Sequence, residues 1–189
     1  ENALLSFSVF KNYYDDFISS NFIGRSGSLS LYQNQNIRDV EIQGAELTAF
    51  FYLTNQWQIR SSVAYARGED EGTGAHLDTI DPLNIVTGLR YDHSSGNWGG
   101  ELLWTVIADK DKVSSDTVTD SEGYAIVDVV GNLNLGSAVS LRAGIFNIFD
   151  EEYAIWQSIQ GLDKVSSADT ILNNYQPGTN IRVGLNIEF

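Results

Sequence analysis

Apolar and polar residues take turns along this chain, and few stretches escape the rule. The closing segment "NIRVGLNIEF" alternates without a miss: Ile181, Val183, Leu185, Ile187 and Phe189 are apolar, while Asn180, Arg182, Gly184, Asn186 and Glu188 are not. A period of two marks a strand with one greasy face, and the helical period is nearly absent. With turn residues as punctuation, the pattern predicts about eight strands. They fall near 3–18, 29–53, 57–69, 83–92, 98–110, 123–135, 139–155 and 180–189. Ala45, Leu47, Ala49 and Phe51 share one face, as do Trp57, Ile59, Val63 and Tyr65. Further on, Val127, Val129 and Leu133 oppose Asp128, Asn132 and Asn134.

The connections alternate in length. Those at 54–56, 93–97 and 136–138 are short, whereas 19–28, 70–82, 109–122 and 156–176 are long and polar or acidic. Short turns join only antiparallel neighbours, so an up-and-down antiparallel sheet follows, with tight turns at one end and long loops at the other. A soluble sheet also alternates. Three features favour a bilayer instead. The strands run to about a dozen residues, against a usual five or six, and a tilted membrane strand needs about 9–11. Aromatics sit at strand ends, with Trp57, Tyr91 and Trp98 beside short turns and Tyr13, Tyr14 and Tyr124 towards the long loops, as interfacial girdles do. Short turns on one side and long loops on the other is the outer-membrane arrangement.

Composition narrows the picture further. The 189 residues are 42% hydrophobic and 12% aromatic, too apolar for disorder. No run of about 18 apolar residues offers a membrane-spanning helix. A formal charge of −14 speaks against a nucleic-acid partner, which would need a basic stripe. Cys 0 excludes disulfides and thiolate chemistry. The chain has no Met and opens directly in strand-like sequence, so it reads as a mature protein or a fragment rather than a full reading frame.

"FNIFDEEY" (146–153) and "YQPGTNIRVGLNIEF" (175–189) resemble the closing hairpin of TonB-dependent outer-membrane receptors. The matching positions are Asn147, Ile148, Phe149, Asp150 and Tyr153, then Pro177, Gly178 and Phe189. "NIRDVEIQGAEL" (36–47) resembles another strand of that family through Asn36, Gly44 and Glu46. "IDPLNIVTGLRYD", "GYAIVDV" and "YAIWQSIQGL" look most like its haem and haemoglobin branch; Thr179 departs from that branch, which carries a basic residue there. The resemblance implies an all-β, antiparallel transmembrane β-barrel segment. Residues 1–189 would be the C-terminal third of a larger barrel of about 22 strands, with the plug domain absent from this chain and, in isolation, an open curved sheet. It implies a receptor in the outer membrane of a Gram-negative bacterium that imports haem, a ferric siderophore or another iron-containing nutrient. TonB would act through the plug. Phe189, Ile187 and Leu185 would form the signal read by the barrel-assembly machinery. Outer-membrane lipid and lipopolysaccharide, and a haem protein, are the further partners implied.

Candidate chemistry is sparse. His76, in an acidic loop, is placed to be an axial haem ligand, or is an ordinary solvated loop residue. Tyr153 and Trp156, with Tyr175, flank the last long loop; they can stack on a flat ligand or serve as interfacial anchors. The acidic run from Asp109 to Glu122 lacks the Gly and closing Glu of an EF-hand loop, so no metal site is expected. No nucleophile, phosphate-loop or metal signature points to an enzyme. No covalently bound cofactor is expected, and haem or a ferric chelate enters only as cargo. The alternative is a small complete outer-membrane barrel, either a lipid-modifying enzyme or an adhesin or structural anchor.

Overall fold

The computed structural model describes residues 2–27, 29–36 and 39–188. Its ten strands are β1 (Ala3–Tyr14), β2 (Ile18–Ser26), β3 (Leu29–Asn36), β4 (Val40–Tyr52) and β5 (Trp57–Asp70), followed by β6 (Asn84–Asp92), β7 (Trp98–Ile107), β8 (Tyr124–Leu135), β9 (Val139–Phe146) and β10 (Asn180–Ile187). Eight of them form one sheet in the order β1-β4-β5-β6-β7-β8-β9-β10, every pair antiparallel. Strands β2 and β3 pair only with each other. The two helices, α1 (Trp156–Ile159) and α2 (Ala168–Asn173), are short and lie in the last long loop.

The eight-strand sheet matches the sequence pattern, with two corrections near the start. The segment 19–28, expected as a loop, is mostly strand β2, and the long strand expected at 29–53 is two strands, β3 and β4. The reason is local. Around 33–39, "QNQNIRD" breaks the greasy alternation. A hairpin standing clear of the sheet needs no apolar face, because its backbone groups pair internally. Strand β9 also stops at Phe146, well short of 155, because Asn147 turns left-handed with φ 51°.

The sheet hides little. Exposed apolar side chains line one face, including Leu5 at 65%, Val183 at 69% and Leu185 at 61%. The other face carries Arg60, Arg90, Glu101, Asn132, Arg142 and Arg182. A pocket of about 750 Å³ is lined from β6 through to β10 by such residues. Five consecutive strands can line one pocket only if the sheet curls around its polar face. Ile181, Val183, Leu185 and Ile187 therefore point away from the concave side, in phase with Ile145, Ala143, Leu141 and Val139 on β9. A greasy convex face and a polar concave face are the reverse of a soluble domain, and fit a barrel wall in lipid.

The outer strands of this sheet are β1 and β10, each paired on one side only. The sheet is open. At the short-turn end Trp57, Tyr91 and Trp98 form a contiguous cluster, with ring centroids 4.8 and 5.1 Å apart, and His93 stacks on Trp98 at 5.0 Å. That belt sits where a girdle should.

Candidate functional site

The concave wall is organised by glycines. Strand β6 puts Gly88 opposite Arg60 on β5 and on the diagonal from Glu101 on β7, which faces Arg90. A Cβ at Gly88 would lie 2.5 Å from Glu101 Oε1 and 3.1 Å from Arg60 Nε. With no side chain there, the two reach over β6 and pair at 2.6 Å. Glu101 is only 9% exposed, so it needs that cation. The same device recurs. Phe10 lies across Gly44, and Phe146 lies across Gly144. Arg182 then stacks on Phe146 with its guanidinium 4.8 Å from the ring centroid. Arg90 is held on its own strand by Asp92, Nε to Oδ2 at 2.7 Å and Nη2 to Oδ1 at 2.8 Å.

Above the wall, three long loops are tied together. Asp78, in the loop between β5 and β6, accepts hydrogen bonds from Ser114 N at 2.7 Å and Ser114 Oγ at 2.6 Å. Its main-chain carbonyl accepts one from Trp156 Nε1 at 2.8 Å. One residue thus joins the loop between β7 and β8 to the loop between β9 and β10. These last two also share backbone bonds, Thr119 N to Leu162 O at 2.7 Å and Lys164 N to Thr117 O at 2.9 Å. Helix α1 buries Trp156 and Ile159 three residues apart on one face. Ala154 joins them, and Val113, Leu162 and Ile171 pack against the cluster. Lys110 is buried with its ammonium 5.6 Å from the Trp156 ring. Burial pushes that ammonium below its ordinary 10.5, against the pull of Asp78, Asp81 and Asp111. Asp120 is held below the usual carboxylate range by its hydrogen bond from Lys164, 3.1 Å away.

The motif residues of the closing hairpin form a knot at the rim. Asn147 is 2% exposed. Its backbone N donates to Asp128 Oδ1 at 2.7 Å, and its side-chain amide both donates to Glu151 O and accepts from Glu151 N. Thr179 closes the knot, with its N donating to Asp150 Oδ1 at 2.8 Å and its Oγ1 to Asn147 O at 2.7 Å. Thr179, where the resemblance expected a basic residue, has a full local role.

The candidate ligand residues are placed separately. His76 Nδ1 lies 3.5 Å from Glu69 Oε1 on the end of β5. Tyr153 packs on Tyr124, centroids 4.2 Å apart; burial, then the Asp128 charge, raises its phenol pKa. Trp156 is 3% exposed, so its ring serves the loop cluster rather than an open stacking surface. Leu185 and Ile187 stand on the greasy face of β10, and Phe189 lies outside the described residues. Among the described residues no three His, Asp or Glu side chains converge as a cation site. Asp78 and Lys110 were not legible as a joint, because nothing in their local sequence announces partners thirty or more residues away.

This is an open stretch of membrane barrel wall with a polar lumen face and knitted loops at one end. A profile of the TonB dependent receptor-like, beta-barrel family matches residues 1–148, and the chain belongs to that family. Among curated proteins it is 24% identical to Hemoglobin-binding protein A of Haemophilus influenzae, across 99% of this chain and 22% of that protein. It is 25% identical to Hemoglobin-haptoglobin utilization protein B of Neisseria meningitidis serogroup C, across 90% of this chain and 26% of that one. The chain thus spans about a quarter of the length of these relatives. Among solved structures it superposes on the copper transporter OprC with TM-score 0.85 and 26% identity, covering 100% of this chain and 29% of that one. The FrpB iron transporter from Neisseria meningitidis gives 0.70 at 16% identity, with 100% and 29% coverage. A small complete barrel is not favoured, since the sheet is open and each of these matches covers only part of a longer chain.

Proposed function

We propose that this chain is the closing third of an outer-membrane receptor of a Gram-negative bacterium that imports haem or another iron-containing nutrient, energised by TonB acting on a plug elsewhere in the receptor. The carrying observation is the polar luminal wall beneath a knitted loop cluster, in a chain similar to proteins named for haemoglobin binding and haemoglobin-haptoglobin utilization. The role is binding and passage of cargo, with no reaction catalysed. His76 and Tyr153 are the ligand contacts proposed in the loops, and Trp156 braces the loop cluster through Asp78 and Ile159. Leu185, Ile187 and Phe189 supply the assembly address. The acidic loops face the lipopolysaccharide layer, and a haem protein is the partner on the outside.

The likeness to a copper transporter raises a second cargo. Soft thioether and thiolate groups favour copper(I), and this chain has neither Cys nor Met, so it contributes no such ligand. The test is growth and uptake. Cells dependent on the full-length receptor should grow on haem as sole iron source, and the purified receptor should bind haem. Uptake of copper with no haem binding would reject the iron reading.

A further inference from the structure

The luminal pocket holds an unbalanced charge. On this wall Arg60 pairs with Glu101 and Arg90 with Asp92, as Lys11 does with Glu41 and Lys164 with Asp120 in other places. Arg142 and Arg182 both line the pocket, and among the described residues neither has a carboxylate partner. Glu101 is the only carboxylate in the lining, and Arg60 already engages it. In a protein of charge −14, two unmatched guanidinium groups on one wall require a reason.

Their setting is built rather than accidental. Arg142 stands opposite Gly184, and Arg182 opposite Gly144. They are therefore diagonal neighbours on adjacent strands, close enough for long side chains to converge. Gly144 carries the ring of Phe146, since a Cβ there would lie 2.9 Å from it. Arg182 is stacked on that ring and held at Nε by Asn180 Oδ1, 3.2 Å away. Beside Arg142 the wall is bare, with nothing within 4 Å of a Cβ at Gly184. Asn132, Asn134 and Ser140 complete the polar lining.

We infer that Arg142 and Arg182 form a carboxylate-binding site on the luminal wall, occupied by a small carboxylate-bearing cargo on its way through the barrel. Two guanidinium groups on a diagonal repel each other until an anion lies between them, and the planar guanidinium fork matches a carboxylate. A pocket of about 750 Å³ falls in the range of small-molecule sites, roughly 300–1,000 Å³. The identity of the cargo rests on the import reading above; the arginine site itself does not.

The experiment uses the full-length receptor in detergent. Phenylglyoxal modifies free arginines, and mass spectrometry reads the rate at each one. Citrate is the probe. It should slow modification of Arg142 and Arg182 by about fivefold or more while leaving the exposed Arg67 unchanged, as expected for a charge-assisted pair. Equal rates with and without citrate would overturn the site. Two arginines already protected before citrate is added would assign them to the lumen-filling part and overturn it equally. The second arm uses haem and the double variant Arg142→Gln/Arg182→Gln. Energised uptake should fall about fivefold, with partial recovery in Arg142→Lys/Arg182→Lys. Unchanged uptake would reject a role in passage. Failure of the unaltered receptor to bind or take up haem would reject the haem reading, while citrate protection still decides the arginine site.

Discussion

Arg60 and Glu101 meet at 2.6 Å across a strand to which neither belongs. Gly88 makes this possible. Gly88→Ala should therefore cost about 1–3 kcal/mol by overpacking against the pair. Arg60→Met should cost a similar amount by leaving a buried carboxylate without its cation. Because both changes break one contact, the double variant should cost little more than either alone. Urea midpoints of the refolded barrel check this; simple additivity would show that the glycine and the ion pair act separately.

Asn147 holds a left-handed conformation, φ 51°, and two side-chain bonds to Glu151. Asn147→Gly should lose about 2 kcal/mol, roughly one for each bond. Asn147→Ala should lose about 1–2 kcal/mol more through the left-handed penalty. Hydrogen exchange over 147–151 reads the difference. A glycine variant no better than the alanine variant would mean that backbone conformation is not limiting.

Much of the sheet was legible because lipid enforces a strict rule. Every second residue from Ile181 to Ile187 must be apolar, and one misplacement would put Arg182 in hydrocarbon. Where that rule lapses, the reading lapsed with it. Strand β2 pairs only with β3, and its stretch Ile18–Ser26 lacks the alternation that marked Leu29 and Leu31 of β3. Trp156 shows the same limit: a loop tryptophan looks the same in sequence whether it waits for a ligand or seals a loop core. Its fate depends on Asp78, a partner 78 residues away.

Asp78→Ala removes both bonds to Ser114 but keeps the carbonyl that Trp156 uses. Trp156→Phe removes only the indole donor. Each should loosen the loops by about 1–2 kcal/mol without altering unfolding of the sheet. The readout is protease nicking near Val165, which is 86% exposed. Sheet and loops weakening together would show that they fold as one unit.

Lys110 gives the loops a pH dependence of known sign. Its folded pKa lies below the ordinary 10.5, so the unfolded state binds more protons between the two values. Loop stability should rise as pH climbs from the folded pKa towards 10.5. Proteinase K nicking should slow over that window, and Lys110→Met should abolish the trend. A trend that persists in the methionine variant would assign it to another group.

Leu185→Arg should cost about 2–4 kcal/mol if it lies near the bilayer midplane, measured by folding into lipid vesicles. Spin labels at 181 and 183 should contact lipid, and those at 182 and 186 water. The reverse would place the greasy face inward.

Asp78 has one more effect, which concerns timing. Separate loops would each lose their freedom when a ligand arrives, and that ordering would weaken every encounter. Here the freedom of three loops is surrendered once, when the chain folds. A ligand touching only one loop meets the stiffness of all three. Any mutation at the joint should therefore slow capture at sites it never touches.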